Sequence, residues 1–212
     1  MEAQATRGRL ITLEGPEGAG KTVLGQRLAT SLVARGFGVV LTREPGGTRL
    51  GERLRALLLE NAGRVEPRAD ALLFNAARAQ LVSEIIEPAL GAGQVIICAR
   101  FTDSTLAYQG YGAGLPIDEL RALARAATGG LQPDRTILLD LDPEVGLRRK
   151  SASEQTRFEA AFDLAFHRRV RDGFLTLAAA EPERFRVVDA GRGLPAVFAD
   201  VEAAALEVLP PA

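Results

Sequence analysis

Residues 15–22 read Gly-Pro-Glu-Gly-Ala-Gly-Lys-Thr and satisfy GxxxxGK[ST] at every fixed position. An apolar run, RLITLE at 9–14, precedes the turn, and Leu24, Leu28 and Leu32 follow it on one helix face. Strand before and helix after is the context in which such a turn binds phosphate. Gly15, Gly18 and Gly20 keep side chains out of the way, so backbone N–H groups converge on anionic oxygens. Lys21 is placed for the outer phosphates of a nucleoside triphosphate, and Thr22 for magnesium. The motif fixes a triphosphate site and leaves the reaction open.

The rest of the chain alternates in kind. Further strands are expected at 39–42, 94–99, 134–142 and 185–188, and helices at 22–35, 50–59, 67–90, 117–127 and 194–209. Pro88 should end or bend the third of these helices. A helix starting at 143–150 should run into the polar stretch 151–156. Phe158, Phe162, Ala165 and Phe166 then stripe a helix reaching about residue 180. Residues 43–48 read as a loop, 100–108 as a polar loop and helix start, and 110–114 as a flexible connection with Tyr111 as a gate. Strands alternating with helices predict an α/β fold with a largely parallel five-stranded sheet, in one domain spanning 1–212.

Composition removes several alternatives. Cys98 is the only cysteine and His167 the only histidine, which excludes an internal disulfide, a Cys-rich zinc site and a His-based metal cluster. His167, beside Arg168 and Arg169, reads as a surface or dimer-edge residue, and Cys98 as a buried thiol. The formal charge of −1 argues against a nucleic-acid partner. Lys21 and Lys150 are the only lysines among 26 basic residues, so phosphate binding falls largely to Arg, which can grip it in bidentate fashion. No run is long enough to span a membrane, and residues 1–8 lack the apolar core of a signal peptide. A cytoplasmic protein is expected.

Ligands of parallel α/β sheets bind at the C-terminal strand ends. Glu14, Arg43 and Arg100 follow strands one, two and three, and Thr22 with Glu14 forms the candidate metal set. Two guanidiniums near a triphosphate cradle suit a second anionic substrate, whose approach needs neutralisation and in-line alignment. Glu17 would repel phosphate if it faced inward, so it is expected to point to a sugar hydroxyl or to water. Phe74 and Arg78 share a helix face. They read either as a base-stacking ring with a base-edge or phosphate contact, or as a core Phe beside a solvated Arg. Thr105, Tyr108 and Gln109 can supply polar base contacts. Asp140 and Asp142 are open to an ATP-side or a structural role.

LEGPEGAGKT (13–22), TREPGGT (42–48), LLFNAARAQL (72–81), RFTDSTLAYQGYGAG (100–114) and LDLDPEVGLRRK (139–150) together resemble the bacterial thymidylate kinases. The resemblance implies a P-loop nucleotide-kinase fold, transfer of the γ-phosphoryl of ATP to dTMP with Mg2+, and a homodimer. It implies ATP-side roles for Gly15, Glu17, Gly18, Ala19, Gly20, Lys21, Thr22, Val23 and Arg148. Glu17 would approach the deoxyribose 3′-hydroxyl, Phe74 stack on thymine and Arg78 meet the base edge. Arg43 and Arg100 would clamp the dTMP phosphate, with Thr105, Tyr108 and Gln109 completing the substrate pocket. A lid near 148–158 would carry Arg149 and Arg157, which join Lys21 and Arg100 as the candidate catalytic residues.

Three positions depart from the family. Ala99-Arg100-Phe101 stands where Asp-Arg-Tyr, Asp-Arg-Phe or Asp-Arg-His is usual, Val23 replaces a second Thr, and Thr156 replaces an acidic residue before the lid Arg. Ala99 removes a carboxylate from a site of opposed charges. A catalytically impaired nucleotide-binding homologue, or a kinase for another nucleoside monophosphate, therefore stands as the alternative.

Overall fold

The computed structural model describes residues 7–60, 65–149 and 162–210. β1 (Arg9–Glu14), β2 (Val39–Arg43), β3 (Val95–Ala99), β4 (Arg135–Asp140) and β5 (Phe185–Asp189) form one parallel sheet in the order β2-β3-β1-β4-β5. The register pairs Leu13 and Arg43 with Ala99, so β1, β2 and β3 end level with one another. That alignment brings the turn at Gly15, the loop after Arg43 and the backbone at Arg100 to one edge.

Helices cover both faces, which is why the strands read as continuous apolar runs. Ile11, Leu13, Ile97 and Leu139 face α1 (Lys21–Ala34) and α9 (Leu194–Leu206) through Leu24, Leu28, Leu32 and Val201. On the opposite face Leu10, Ile96 and Cys98 meet Leu81 of α3 (Pro67–Leu81) and Ile86. Leu138 there meets Phe166, Val170 and Phe174 of α8 (Leu164–Ala180). α2 (Arg49–Glu60), α6 (Ile117–Thr128) and α7 (Pro143–Arg149) complete the described helical layer with the short α4 (Glu87–Gly91) and α5 (Thr102–Thr105).

Several expectations are corrected. The helix from Pro67 does not end at Pro88. It widens to a π turn at Val82–Ile86 and continues as α4 (Glu87–Gly91), which accommodates a residue with no N–H to give. α8 begins only at Leu164, because Asp163 Oδ1 caps it by accepting the Phe166 N–H at 2.8 Å. β4 is shorter than expected at both ends.

Residues 110–114 do not form a flexible connection. α5 (Thr102–Thr105) passes into a π-helical stretch, Leu106–Gly112, packed on α8. A Cβ on Gly112 would lie 2.7 Å from the Phe166 ring, so glycine serves close helix contact there. Tyr111 packs over Gly173 rather than gating the site. His167 is buried and not at the surface. The continuation of α7 through 150–156, and Phe158, lie outside the described residues.

Candidate active site

A cavity of about 440 Å³ opens at the level ends of β1, β2 and β3. One wall is the turn of Glu17, Gly18 and Gly20 with Lys21, Thr22 and Val23. The same cavity is lined by Arg43, Arg55, Phe74 and Arg78, and by Ala99, Arg100, Ser104, Thr105, Tyr108 and Gln109. Most of the predicted residues therefore meet in one place.

The turn is shaped by close approach as well as by torsion. Gly18 has φ 70°, and a Cβ there would lie 2.2 Å from the Gly146 carbonyl oxygen of α7. The reverse also holds, since a Cβ on Gly146 would lie 2.2 Å from the Glu17 carbonyl oxygen. The helix leading toward the expected lid thus rests backbone to backbone on the phosphate turn. Lys21 Nζ donates to the Gly15 and Pro16 carbonyls at 2.8 and 2.7 Å. Thr22 lines the cavity beside it. Among the described residues no group of three or more His, Cys, Asp or Glu side chains is placed to hold a metal. A hydroxyl with triphosphate oxygens and water is the kind of donor set magnesium takes, so the wall fits that ion.

Glu14 does not belong to such a set. It is fully buried beneath the cavity, where Oε1 accepts the N–H groups of Phe101 (2.7 Å) and Ser104 (3.2 Å) and Oε2 accepts the Ser104 hydroxyl (2.6 Å). Burial and the Asp103 charge push its carboxyl up to about 7, against the pull of Ser104, Arg100 and Phe101.

Glu17 lines the cavity and does not point to bulk water. Its carboxylate pairs with Arg100 at 2.7 Å and accepts the Tyr108 hydroxyl at 2.9 Å. Arg100 also lies over the Tyr108 ring, 4.9 Å from its centroid. Burial disfavours the Arg100 cation, but Glu17, Tyr108 and Glu14 together outweigh it and hold the guanidinium above its ordinary value. Burial pushes the Tyr108 phenol up in the same cluster.

Arg78 overturns one of the two readings given for it, the solvated one. It is 1% exposed, so it is not solvated, and its donors are largely committed within the protein. Nε reaches Glu44 at 2.9 Å, Nη1 reaches Asn75 at 2.8 Å, and Nη2 reaches Phe101 O at 2.9 Å and Thr105 Oγ1 at 3.0 Å. Burial raises the Glu44 carboxyl, while Arg78 opposes the shift. Glu44, Arg78 and the half-buried Phe74 all line the cavity. Gln109 is also buried on the cavity, and its side-chain amide makes no hydrogen bond among the described residues.

Arg43 lies at the rim, half exposed and paired with Glu52 at 3.1 Å. Arg149 reaches the Gly18 and Ala190 carbonyls at 3.4 and 3.2 Å, whereas Arg148 is exposed, paired with Glu144 and absent from the cavity wall. Arg157 lies outside the described residues. Gly15 and Ala19 act behind the wall, Gly15 through its carbonyl and Ala19 as buried packing. Asp140 is held bidentately by Arg171 at 2.7 and 2.8 Å, which favours the structural reading.

Sequence reading missed Arg55, Glu44, Ser104 and Gly146. Arg55 lines the cavity and donates to Pro45 O at 2.9 Å; burial and the neighbouring Arg43 and Arg100 hold its guanidinium below the ordinary value. Its signal was available, because Glu52 and Arg55 share a helix face directly after the Arg43 loop.

Sheet order, phosphate turn and the arginines sharing its cavity define a P-loop nucleotide kinase, built to hold a triphosphate and a second anion. The family model described as thymidylate kinase matches residues 13–201. Thymidylate kinase of Deinococcus radiodurans is 52% identical over 203 residues, covering 95% of this chain and 98% of that one. Thymidylate kinase of Desulfovibrio desulfuricans is 55% identical over 192 residues, covering 86% and 88%. A crystal structure of thymidylate kinase from Ehrlichia chaffeensis superposes with a TM-score of 0.76 at 34% identity, covering 96% of this chain and 99% of that one. The chain belongs to the thymidylate kinase family.

Proposed function

We propose that the protein transfers the γ-phosphoryl group of ATP to dTMP, giving dTDP and ADP. The observation that carries this reading is the cavity that Lys21 and Thr22 share with Arg43, Arg55 and Arg100. The first group suits a triphosphate and the second a monophosphate. Phe74 offers a face for the base, and Gln109 and Thr105 offer polar groups at its edge.

The chain's contribution is positioning and charge. The turn N–H groups and Lys21 hold the donor phosphates. Magnesium, when bound among those oxygens, supplies further positive charge, and Thr22 is the residue that would hold it. Arg100, with Arg43 and Arg55, orients the acceptor phosphate, whose oxygen is already nucleophilic at neutral pH. No side-chain base is needed. Glu17 is placed to exchange its Arg100 partner for a ligand hydroxyl. Arg149, resting on Gly18, lies at the donor end.

The test is an ADP-release assay with ATP against dTMP, dUMP, dGMP and thymidine. The expected order has dTMP first and thymidine last; preference for thymidine would overturn the role given to the arginines. A homodimer is also proposed. α2 and α3 pack together, and Leu57 and Leu72 on them are 58% and 52% exposed. Sedimentation velocity should show a dimer for the unaltered chain and a monomer for Leu72→Arg.

A further inference from the structure

We propose that Glu14 is a positioning residue for acceptor-phosphate recognition, acting on Arg100 through Ser104; this rests on the acceptor reading above. Glu14 touches no cavity surface, yet it is two hydrogen bonds from a guanidinium that does. Ser104 Oγ lies 2.6 Å from Glu14 Oε2 and 3.1 Å from Arg100 Nη1. The direction of this relay is fixed by chemistry. A guanidinium can only donate and a carboxylate only accept, so the single Ser104 hydroxyl proton goes to Glu14 and an oxygen lone pair is left for Arg100.

Glu14 also holds the backbone that presents Arg100. Arg100 has φ 70°, in the left-handed region that non-glycine residues seldom occupy. Its own N–H is tied to Leu13 O at 2.9 Å. The next N–H, that of Phe101, is tied to Glu14 Oε1 at 2.7 Å. One carboxylate therefore fixes both the peptide that follows the bend and the hydroxyl that receives the side chain. Glu17 grips the same guanidinium from the phosphate turn. Between them the two carboxylates set its plane.

A carboxylate suits this place better than an amide. Three donors converge on its two oxygens, and an amide would present an N–H to one of them. Burial of a charge there is unfavourable for stability alone, so a positioning role gives the residue a purpose that packing does not.

The experiment is titration calorimetry at pH 8 with dTMP and with thymidine, on the unaltered full-length protein and on Glu14→Gln, Ser104→Ala and Ser104→Thr. In Glu14→Gln and Ser104→Ala, dTMP affinity should fall about tenfold while thymidine affinity stays within about twofold. Ser104→Thr, which keeps the hydroxyl, should restore dTMP affinity relative to Ser104→Ala. Equal losses for both ligands, or undiminished dTMP binding, would overturn the proposal. If Glu14→Gln fails to fold, Ser104→Ala decides, since it leaves the carboxylate and its two backbone bonds in place. An unaltered protein that does not prefer dTMP to thymidine would instead sink the acceptor reading, so the two failures are distinct.

Discussion

Ala99 ends β3 on the cavity wall, in register with Leu13 on one side and Arg43 on the other. Among the described residues, the nearby carboxylates Asp103, Glu44 and Glu14 are all committed elsewhere. Asp103 is held bidentately by Arg184 at 2.7 and 2.9 Å, Glu44 is committed to Arg78, and Glu14 to Phe101 and Ser104. Ala99→Asp should therefore raise kcat for dTMP on the order of tenfold with a small change in KM, as steady-state kinetics would show. Unchanged turnover would mean that the position carries no charge role here. At this scale the sequence told residue type and place along the chain, but not pairing. Arg78 and Glu44 are 34 positions apart, and nothing in local spacing shows that a cation on one helix is cancelled by a loop carboxylate. The pairing of Glu17 with Arg100 was out of reach for the same reason, since the two lie 83 positions apart. His167 was placed at the surface because charged neighbours share its segment, whereas its own side of α8 faces inward.

The elements themselves were largely legible, because apolar runs and spacing-four stripes report burial directly. What periodicity could not show was where glycine marks contact instead of a break. The stretch 110–114 looks like a linker by composition, yet Gly112 lets a π-helical segment press onto α8 and Gly110 lets it approach α6. Gly146 makes the corresponding point for α7. Replacing it with Ala would set a Cβ against the Glu17 carbonyl and push the helix off the phosphate turn. Gly146→Ala should raise KM for ATP about tenfold while leaving KM for dTMP within about twofold, which initial-rate kinetics with each substrate varied in turn would check. An equal rise in both constants would place the damage in general folding.

Across the whole molecule the near-neutral charge conceals an uneven layout, with Lys21, Arg43, Arg55, Arg78, Arg100 and Arg149 all on one cavity. That layout was foreseen only in part, because it depends on strand order and register rather than on any segment. Burying the Glu14 carboxyl has a thermodynamic signature. Glu14 titrates near 7 when folded, above its unfolded range of about 4.3. The folded state then binds the extra proton, so this stabilising contribution is full below about 4.3 and is lost as pH rises through about 7. Urea unfolding of the unaltered protein and Glu14→Gln at pH 5 and pH 8 should show the former losing up to about 3 kcal/mol relative to the latter.

The Arg100–Glu17 pair has a last consequence for selectivity. A guanidinium already matched by an internal counter-ion offers little to a bare anion, because any newcomer must first strand the carboxylate. A visitor carrying an acidic group at one end and a hydroxyl at the other lets both protein groups change partners together, with neither left exposed. Such an exchange should favour a ligand carrying both groups over inorganic phosphate.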